Sequence, residues 1–308
     1  MNPTSRRPSG IVRPIVGAVV AACCCFLAAD AARGASVSDF IDFTLRSGAT
    51  TLLPGRLYVP PEATSDPSVP RPMIVFLHGA GESGTNNLAQ INGNLDNLLA
   101  EAKRRGAFLY APQTNGGWGS SVITGRVMTM VDQALAGHNI DVDRLYATGL
   151  SMGGGGTWNL LNRYGTRFAA GIPICGIGPA SDFVPARLID QAIAVFHARN
   201  DTVVSHVTSR NVINSILSAA HESLPTYPSA RDPNVFSFSA TGLDLQYMEL
   251  ATGGHGIWPA VYSAPPVYDW LFAHTLAVPE PSALIRVGVA GLSLVAFLRP
   301  RRRRRLPC

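Results

Sequence analysis

Seven short runs of this chain are almost free of polar residues, and they constrain the fold more than any other feature. "MIVFLH" from Met73 and "AIAVFHA" from Ala192 are the clearest. "RLYVP" (Arg56), "FLYAP" (Phe108), "RLYATG" (Arg144), "AAGIPI" (Ala169) and "LQYMEL" (Leu245) complete the set. Apolar runs of strand length without polar alternation suit strands covered on both faces, as in a parallel sheet. Helix-length segments stand between them, over 88–104, 123–137, 153–164, 205–220 and 266–275. Alternating units of this kind predict an α/β architecture with a mostly parallel central sheet flanked by helices. The stretch 221–242, with several Pro, Ser and Asp residues, breaks the rhythm and reads as a surface excursion near the site. Neither a repeat nor a low-complexity block interrupts 36–275, so a single domain is expected there.

The best-marked turn lies between the run at Arg144 and the helix that follows it. Gly149-Leu150-Ser151-Met152-Gly153 fits G-x-S-x-G, and Gly154 to Gly156 extend the glycines. A serine between a strand and a helix, with small residues on both sides, fits a strained turn that presents a nucleophile. A phosphate cradle fits poorly, because no lysine follows the glycines as G-x-x-x-x-G-K-[ST] requires. Elbow geometry accounts for Gly149 and Gly153; small residues at Gly154 to Gly156 are expected to widen a pocket.

A serine hydroxyl needs a base, and the base needs a carboxylate behind it. The run at Ala192 leads into "RNDTVV", which places Asp201 after a strand, 50 residues beyond Ser151. The run at Leu245 leads into "ATGGHGIW", which places His255 after the next strand, 54 residues further on. Both fall where open α/β sheets assemble their sites. Asp182 and Asp190 are weaker acids for the role, since each precedes a strong strand. His274 lies on the last helix, His197 inside a strand, and His138, His206 and His221 away from strand ends. An oxyanion would be met by the backbone amide of Met152 and by that of Ala80 in "HGAGESG". His78 in that loop is expected to organise it. Trp118 and Trp258 are candidates for lining the substrate pocket. No metal and no organic cofactor is expected. Cys175, the one cysteine away from the ends, reads as a small buried hydrophobe.

Five blocks carry a resemblance: "LHGAGESGTNN", "APQ" followed by "GGW", "ATGLSMGGGGTW", "FHARNDTVV" and "GGHGIW". In this order they resemble the exported esterase and predicted-peptidase branch of the α/β-hydrolase superfamily. That branch is related to phospholipase/carboxylesterase and feruloyl or acetylxylan esterase-like enzymes. The resemblance covers 57–273 and implies Ser151, Asp201 and His255 as a triad, with Ala80 and Met152 as oxyanion donors. It departs at "FHAR", where an HG pair is usual, and at "SMGGGG", where an aromatic often follows the second glycine. The implied substrate is a small ester or a polysaccharide-linked ester. A serine peptidase of prolyl-oligopeptidase-like type, or a non-catalytic surface protein on a hydrolase scaffold, are the alternatives.

Composition bears mainly on the ends. Of 308 residues 46% are apolar and 15% charged, a balance that allows a large core and leans toward export. The net charge of +5 comes from the termini, since ten of the 25 Lys and Arg lie in the first or last 31 residues. The middle keeps 15 basic against 18 acidic residues, which argues against nucleic-acid binding. Arg6, Arg7 and Arg13, an apolar run over 15–29 and "ADA" at Ala29 predict a signal peptide over 1–31. "VAAC" ending at Cys23 offers a lipoprotein alternative. At the other end, "VPEP" from Val278, an apolar stretch containing Arg286 and a run of arginines over 301–305 resemble a PEP-CTERM sorting signal over 278–308. Such a signal implies an exosortase-type processing partner, an inner-membrane segment and a body at the cell surface or beyond.

Overall fold

The computed structural model describes residues 34–276. The signal-peptide and sorting-segment expectations, Cys23 and Arg286 among them, lie outside the described residues. Among the described residues no helix is long and apolar enough to cross a membrane.

Eleven strands are present among the described residues: β1 (Ile41–Asp42), β2 (Leu45–Ser47), β3 (Thr50–Leu53), β4 (Gly55–Tyr58), β5 (Arg71–Leu77), β6 (Phe108–Pro112), β7 (Ile140–Leu150), β8 (Ala170–Ile174), β9 (Ala192–Ala198), β10 (Phe236–Ser239) and β11 (Leu245–Leu250). Nine of them form one sheet in the order β1-β4-β6-β5-β7-β8-β9-β11-β10, and β2 pairs with β3 separately. The six strands from β6 to β11 in that order run parallel. Antiparallel strands β4 and β10 flank them, and β1 adds to the outer edge of β4. All seven apolar runs become strands of this sheet. Around it lie α1 (Pro61–Ser65), α2 (Asp96–Arg104), α3 (Ser121–Gly137), α4 (Met152–Tyr164), α5 (Val207–Ala219), α6 (Trp258–Tyr262) and α7 (Pro265–Ala273).

The lack of polar alternation is explained by two cores, one on each face of the sheet. Along β5, Met73, Val75 and Leu77 pack into one and Ile74 and Phe76 into the other. Strand β9 divides likewise, with Ile193 and Val195 on one side and Ala194 and Phe196 opposite. The first core takes Val131 of α3, Leu160 of α4 and Ile213 of α5; the second takes Leu98 of α2 and Leu271 of α7.

The helix expected over 88–104 is cut short. Gly93 adopts φ +49, and the Asn86 side chain accepts from the amides of Leu88 and Ala89 at 3.0 and 3.1 Å. These local bonds compete with helix hydrogen bonding, leaving a single 3-10 turn before α2 starts at Asp96.

The excursion over 221–242 supplies β10 and is pinned by buried charge. Arg199 donates from Nε to Glu249 Oε1 at 2.6 Å, and Arg210 donates to both oxygens of the same carboxylate at 2.6 and 2.7 Å. Tyr247 donates its hydroxyl to Glu249 as well, at 2.8 Å. Other guanidinium N–H groups reach excursion carbonyls: Asp232 and Asn234 from Arg199, and Pro228 from the Arg210 nitrogen that also serves Glu249 Oε1. Burial works to raise the Glu249 pKa, but the bonds from Arg210, Arg199 and Tyr247 prevail and hold it below its ordinary value. A depressed carboxylate stabilises the fold above its unfolded pKa, and that stability is lost as pH falls through the folded value. Glu249→Gln is therefore expected to cost about 3 kcal/mol at neutral pH, because Arg199 is left with an uncompensated buried charge. In urea melts the gap to wild type should begin to narrow as the pH falls below about 4 and close only further down, below the depressed folded value.

Candidate active site

The carboxyl ends of four parallel strands converge here. Strand β5 delivers the loop from His78 to Gly81, β7 delivers Ser151, β9 delivers Asp201 and β11 delivers His255.

Ser151 is the single residue between β7 and α4, at φ 54 and ψ −116, which few L-residues adopt. Backbone hydrogen bonds hold it there. Its amide donates to Ile174 O at 2.9 Å, and its carbonyl accepts from Gly155 and Ile177, both at 3.2 Å. The glycines around it are spaces for neighbours. A Cβ on Gly149 would lie 2.4 Å from Gly153 O, and one on Gly153 would lie 1.8 Å from Leu77 O. Gly154 to Gly156 do not widen a pocket, contrary to the expectation from sequence. All three are buried, and a Cβ would meet Gly176 Cα at 2.6 Å, Ile177 Cγ1 at 2.4 Å and Trp118 Cβ at 2.6 Å in turn. The first turn of α4 is wedged against β5, the loop after β8 and Trp118 together.

His255 lies between Ser151 and Asp201. Its Nδ1 is 2.7 Å from Asp201 Oδ2 and its Nε2 is 2.8 Å from Ser151 Oγ. A carboxylate only accepts, so Nδ1 carries the proton and the Nε2 lone pair faces the serine hydroxyl. Asp201 Oδ1 accepts from the amides of Val203 and Val204 at 2.8 and 2.9 Å. Burial acts to raise the Asp201 pKa, but the His255 bond and these two amides outweigh it and keep the carboxyl below its ordinary value. Asn200 Oδ1 accepts from Gly254 N at 2.8 Å and ties the two loops together. Of the weaker acids, Asp182 is engaged by Arg163 at 2.7 Å.

Cys175 is buried, with φ 44. Its Sγ, an Asp201 oxygen and a His255 nitrogen lie within 4.8 Å of one another, the group of potential metal ligands found among the described residues. Both His255 nitrogens and both Asp201 oxygens already have hydrogen-bond partners. Burial pushes the Cys175 thiol up to about 12, and a thiol binds metal as thiolate. This donor set fits a hydrogen-bonded cluster better than a cation site.

The loop after β5 is braced from beneath. His78 Nε2 accepts from Thr114 N at 3.1 Å, so its Nδ1 donates to Gly79 O at 2.7 Å. Burial pushes the His78 pKa down, keeping this ring neutral. Trp118 donates from Nε1 to His78 O at 3.0 Å and is only 1% exposed. It supports the loop and offers essentially no surface to a substrate, unlike the pocket-lining role expected of it. Ala80 opens a 3-10 turn and Met152 opens α4, so neither amide has an acceptor within its own turn. Trp258 is half-buried, with its ring edge-on to His255 at 5.4 Å and 85°. Its Nε1 donates to Asn94 Oδ1 at 2.8 Å, and Asn94 Nδ2 donates to Glu82 Oε1 at 2.6 Å. This strut joins the His255 side of the site to the β5 loop, and no spacing rule in the sequence announces it.

Comparison with known proteins agrees with this topology. No protein-family profile matches the chain. The structure superposes on a thermostable esterase with a TM-score of 0.63 at 31% identity, covering 78% of this chain and 64% of the other. This is the α/β-hydrolase fold. An acetyl xylan esterase from Aspergillus awamori shares it at TM-score 0.51 and 13% identity, over 66% of this chain and 89% of that one. In sequence, a bifunctional acetylxylan esterase/xylanase of Neocallimastix patriciarum is 23% identical over 224 residues, 68% of this chain. The chain spans about a third (32%) of that relative's length.

Proposed function

We propose that this protein is a serine carboxylic ester hydrolase in which Ser151, His255 and Asp201 act as nucleophile, base and orienting acid. The observation that carries the reading is the continuous contact from Ser151 Oγ through His255 to Asp201, at 2.8 and 2.7 Å. His255 Nε2 takes the hydroxyl proton as Oγ attacks the ester carbonyl, and Asp201 stabilises the imidazolium that results. The tetrahedral oxyanion is met by the Met152 and Ala80 amides. Collapse expels the alcohol, which receives the proton from His255 and leaves an acyl-serine. Water then repeats the cycle, with His255 as base, and frees the acid. Trp258, edge-on to His255, borders the leaving-group side. The esterase names of the relatives favour a small or polysaccharide-linked ester over a peptide. The terminal segments add an export reading, with signal-peptide cleavage, sorting by an exosortase-type enzyme and a site of action at the cell surface or outside.

The test is chemical. A fluorophosphonate probe is expected to label the protein at Ser151, identified by peptide mass mapping. A panel of acetyl, butyryl and feruloyl esters is expected to be hydrolysed, with short peptides left intact. Peptide cleavage without ester cleavage would replace this reading with the peptidase one, and absence of both labelling and turnover would point to a non-catalytic scaffold.

A further inference from the structure

The Asp201 carboxylate serves two imidazoles, and only one of them touches Ser151. His197 lies fully buried on β9. Its Nε2 is 2.9 Å from Val204 O and 3.2 Å from Asp201 Oδ2, the same oxygen that faces His255 at 2.7 Å. Carbonyl and carboxylate oxygens can only accept, so the His197 proton sits on Nε2, donated to Val204 O with Asp201 Oδ2 close beside it. Nδ1 is then free to accept from the Ser209 hydroxyl at 2.8 Å on α5. Burial pushes the His197 pKa down and keeps the ring neutral, against the opposing pull of Val204 O and Asp201.

We propose that His197 is a positioning residue for the hydrolysis, its Nε2–H drawing off part of the charge on Asp201 Oδ2 and fixing the direction in which that oxygen faces His255. The inference rests on the ester-hydrolase reading above. Few titratable groups face this arrangement. Asp201 meets His255, His197 and Cys175. His197 meets Asp201 and His206, and His206 in turn faces Glu249, Arg210 and Arg199. Removing the His197 donor concentrates charge on Oδ2 and favours the imidazolium of the catalytic base, so protonation inactivates the enzyme at higher pH. A residue that merely packed would act in the opposite sense. Its loss would slacken the Asp201–His255 contact and move the acid limb down, or leave it in place.

The experiment compares pH profiles of kcat/KM for p-nitrophenyl acetate in the full chain. Wild type, His197→Met and His197→Gln are measured, with Ser151→Ala as the control for the reaction itself. His197→Met fills similar space without an N–H and is expected to raise the acid limb by about 0.5 in pH. His197→Gln restores a neutral N–H donor and is expected to bring the limb back toward the wild-type position. A limb that stays or falls in His197→Met overturns the proposal. A second measurement needs no variant: 15N shifts of folded wild type at neutral pH should show His197 as the neutral Nε2–H tautomer. An imidazolium or an Nδ1–H tautomer overturns the proposal even where His197→Met does not fold. If Ser151→Ala keeps wild-type turnover, the ester-hydrolase reading fails instead, and the tautomer measurement still reports on His197 separately.

Discussion

Ser151→Ala is expected to lower kcat for ester hydrolysis by about 10⁶-fold, while the melting temperature stays close to wild type. The size follows from the nucleophile being one part of a unit whose other members are useless without it. The unchanged stability follows from the backbone. Ser151 sits at φ 54 and ψ −116, and alanine keeps the Cβ that makes this conformation costly. Ser151→Gly removes that Cβ. Strain of this kind amounts to about 1–3 kcal/mol, and the extra freedom of glycine in the unfolded chain takes back about 0.5–1 kcal/mol. The glycine variant should therefore be as inactive as the alanine one, yet more stable by about 1 kcal/mol. Ester assays with calorimetry on the three proteins decide this. Equal stability of the alanine and glycine variants would mean that the strain relieved is no larger than the about 0.5–1 kcal/mol that glycine's freedom takes back.

The sheet was legible in the sequence because both its faces are covered. Burial on two sides removes polar alternation, and Met73 to Leu77 split between two cores leave an unmistakable run. The short edge strands β1 and β10 and the β2–β3 pair carry no such signal, since their exposed faces admit polar residues. The Ser151, Asp201 and His255 positions were readable because each lies in the segment after a strand, immediately for Ser151 and three and five residues on for Asp201 and His255. What supports them was not. His197 is correctly seen as lying inside a strand, but its contact with Asp201 exists only because the chain turns back between β9 and α5. Glu249 looks like a lone acid in "LQYMEL", and its two arginine partners are 50 and 39 residues away in the chain. The Glu82–Asn94–Trp258 strut combines residues from segments far apart in the chain for the same reason. Local pattern reports which face of an element is buried. It does not report which distant side chain meets it there.

The glycine run shows how that gap can be closed by substitution. Gly153→Ala should be the most damaging of the conservative changes in this protein, costing about 4–5 kcal/mol or more. Its Cβ would sit 1.8 Å from Leu77 O, 2.5 Å from Leu77 C and 2.7 Å from His78 O. These are backbone atoms at the end of the central strand β5, so no rotamer change can relieve the overlap. Either α4 lifts away and carries Ser151 with it, or the loop bearing the Ala80 amide is displaced. Both routes cost activity as well as stability. Gly154→Ala comes next, against Gly176 Cα at 2.6 Å and Ile174 O at 2.8 Å. Gly155→Ala should be milder, because its nearest neighbour is the Ile177 side chain at 2.4 Å, which can turn aside. Gly137, at the end of α3, has no neighbour within 4 Å of the place a Cβ would take, and alanine there should stabilise by about 0.5 kcal/mol through helix propensity. Thermal melts of the four variants should rank in this order, with Gly153→Ala lowered by about 10 °C or more. If Gly153→Ala melts with wild type, the helix is not wedged against β5. The glycines would then need the pocket explanation that their burial argues against.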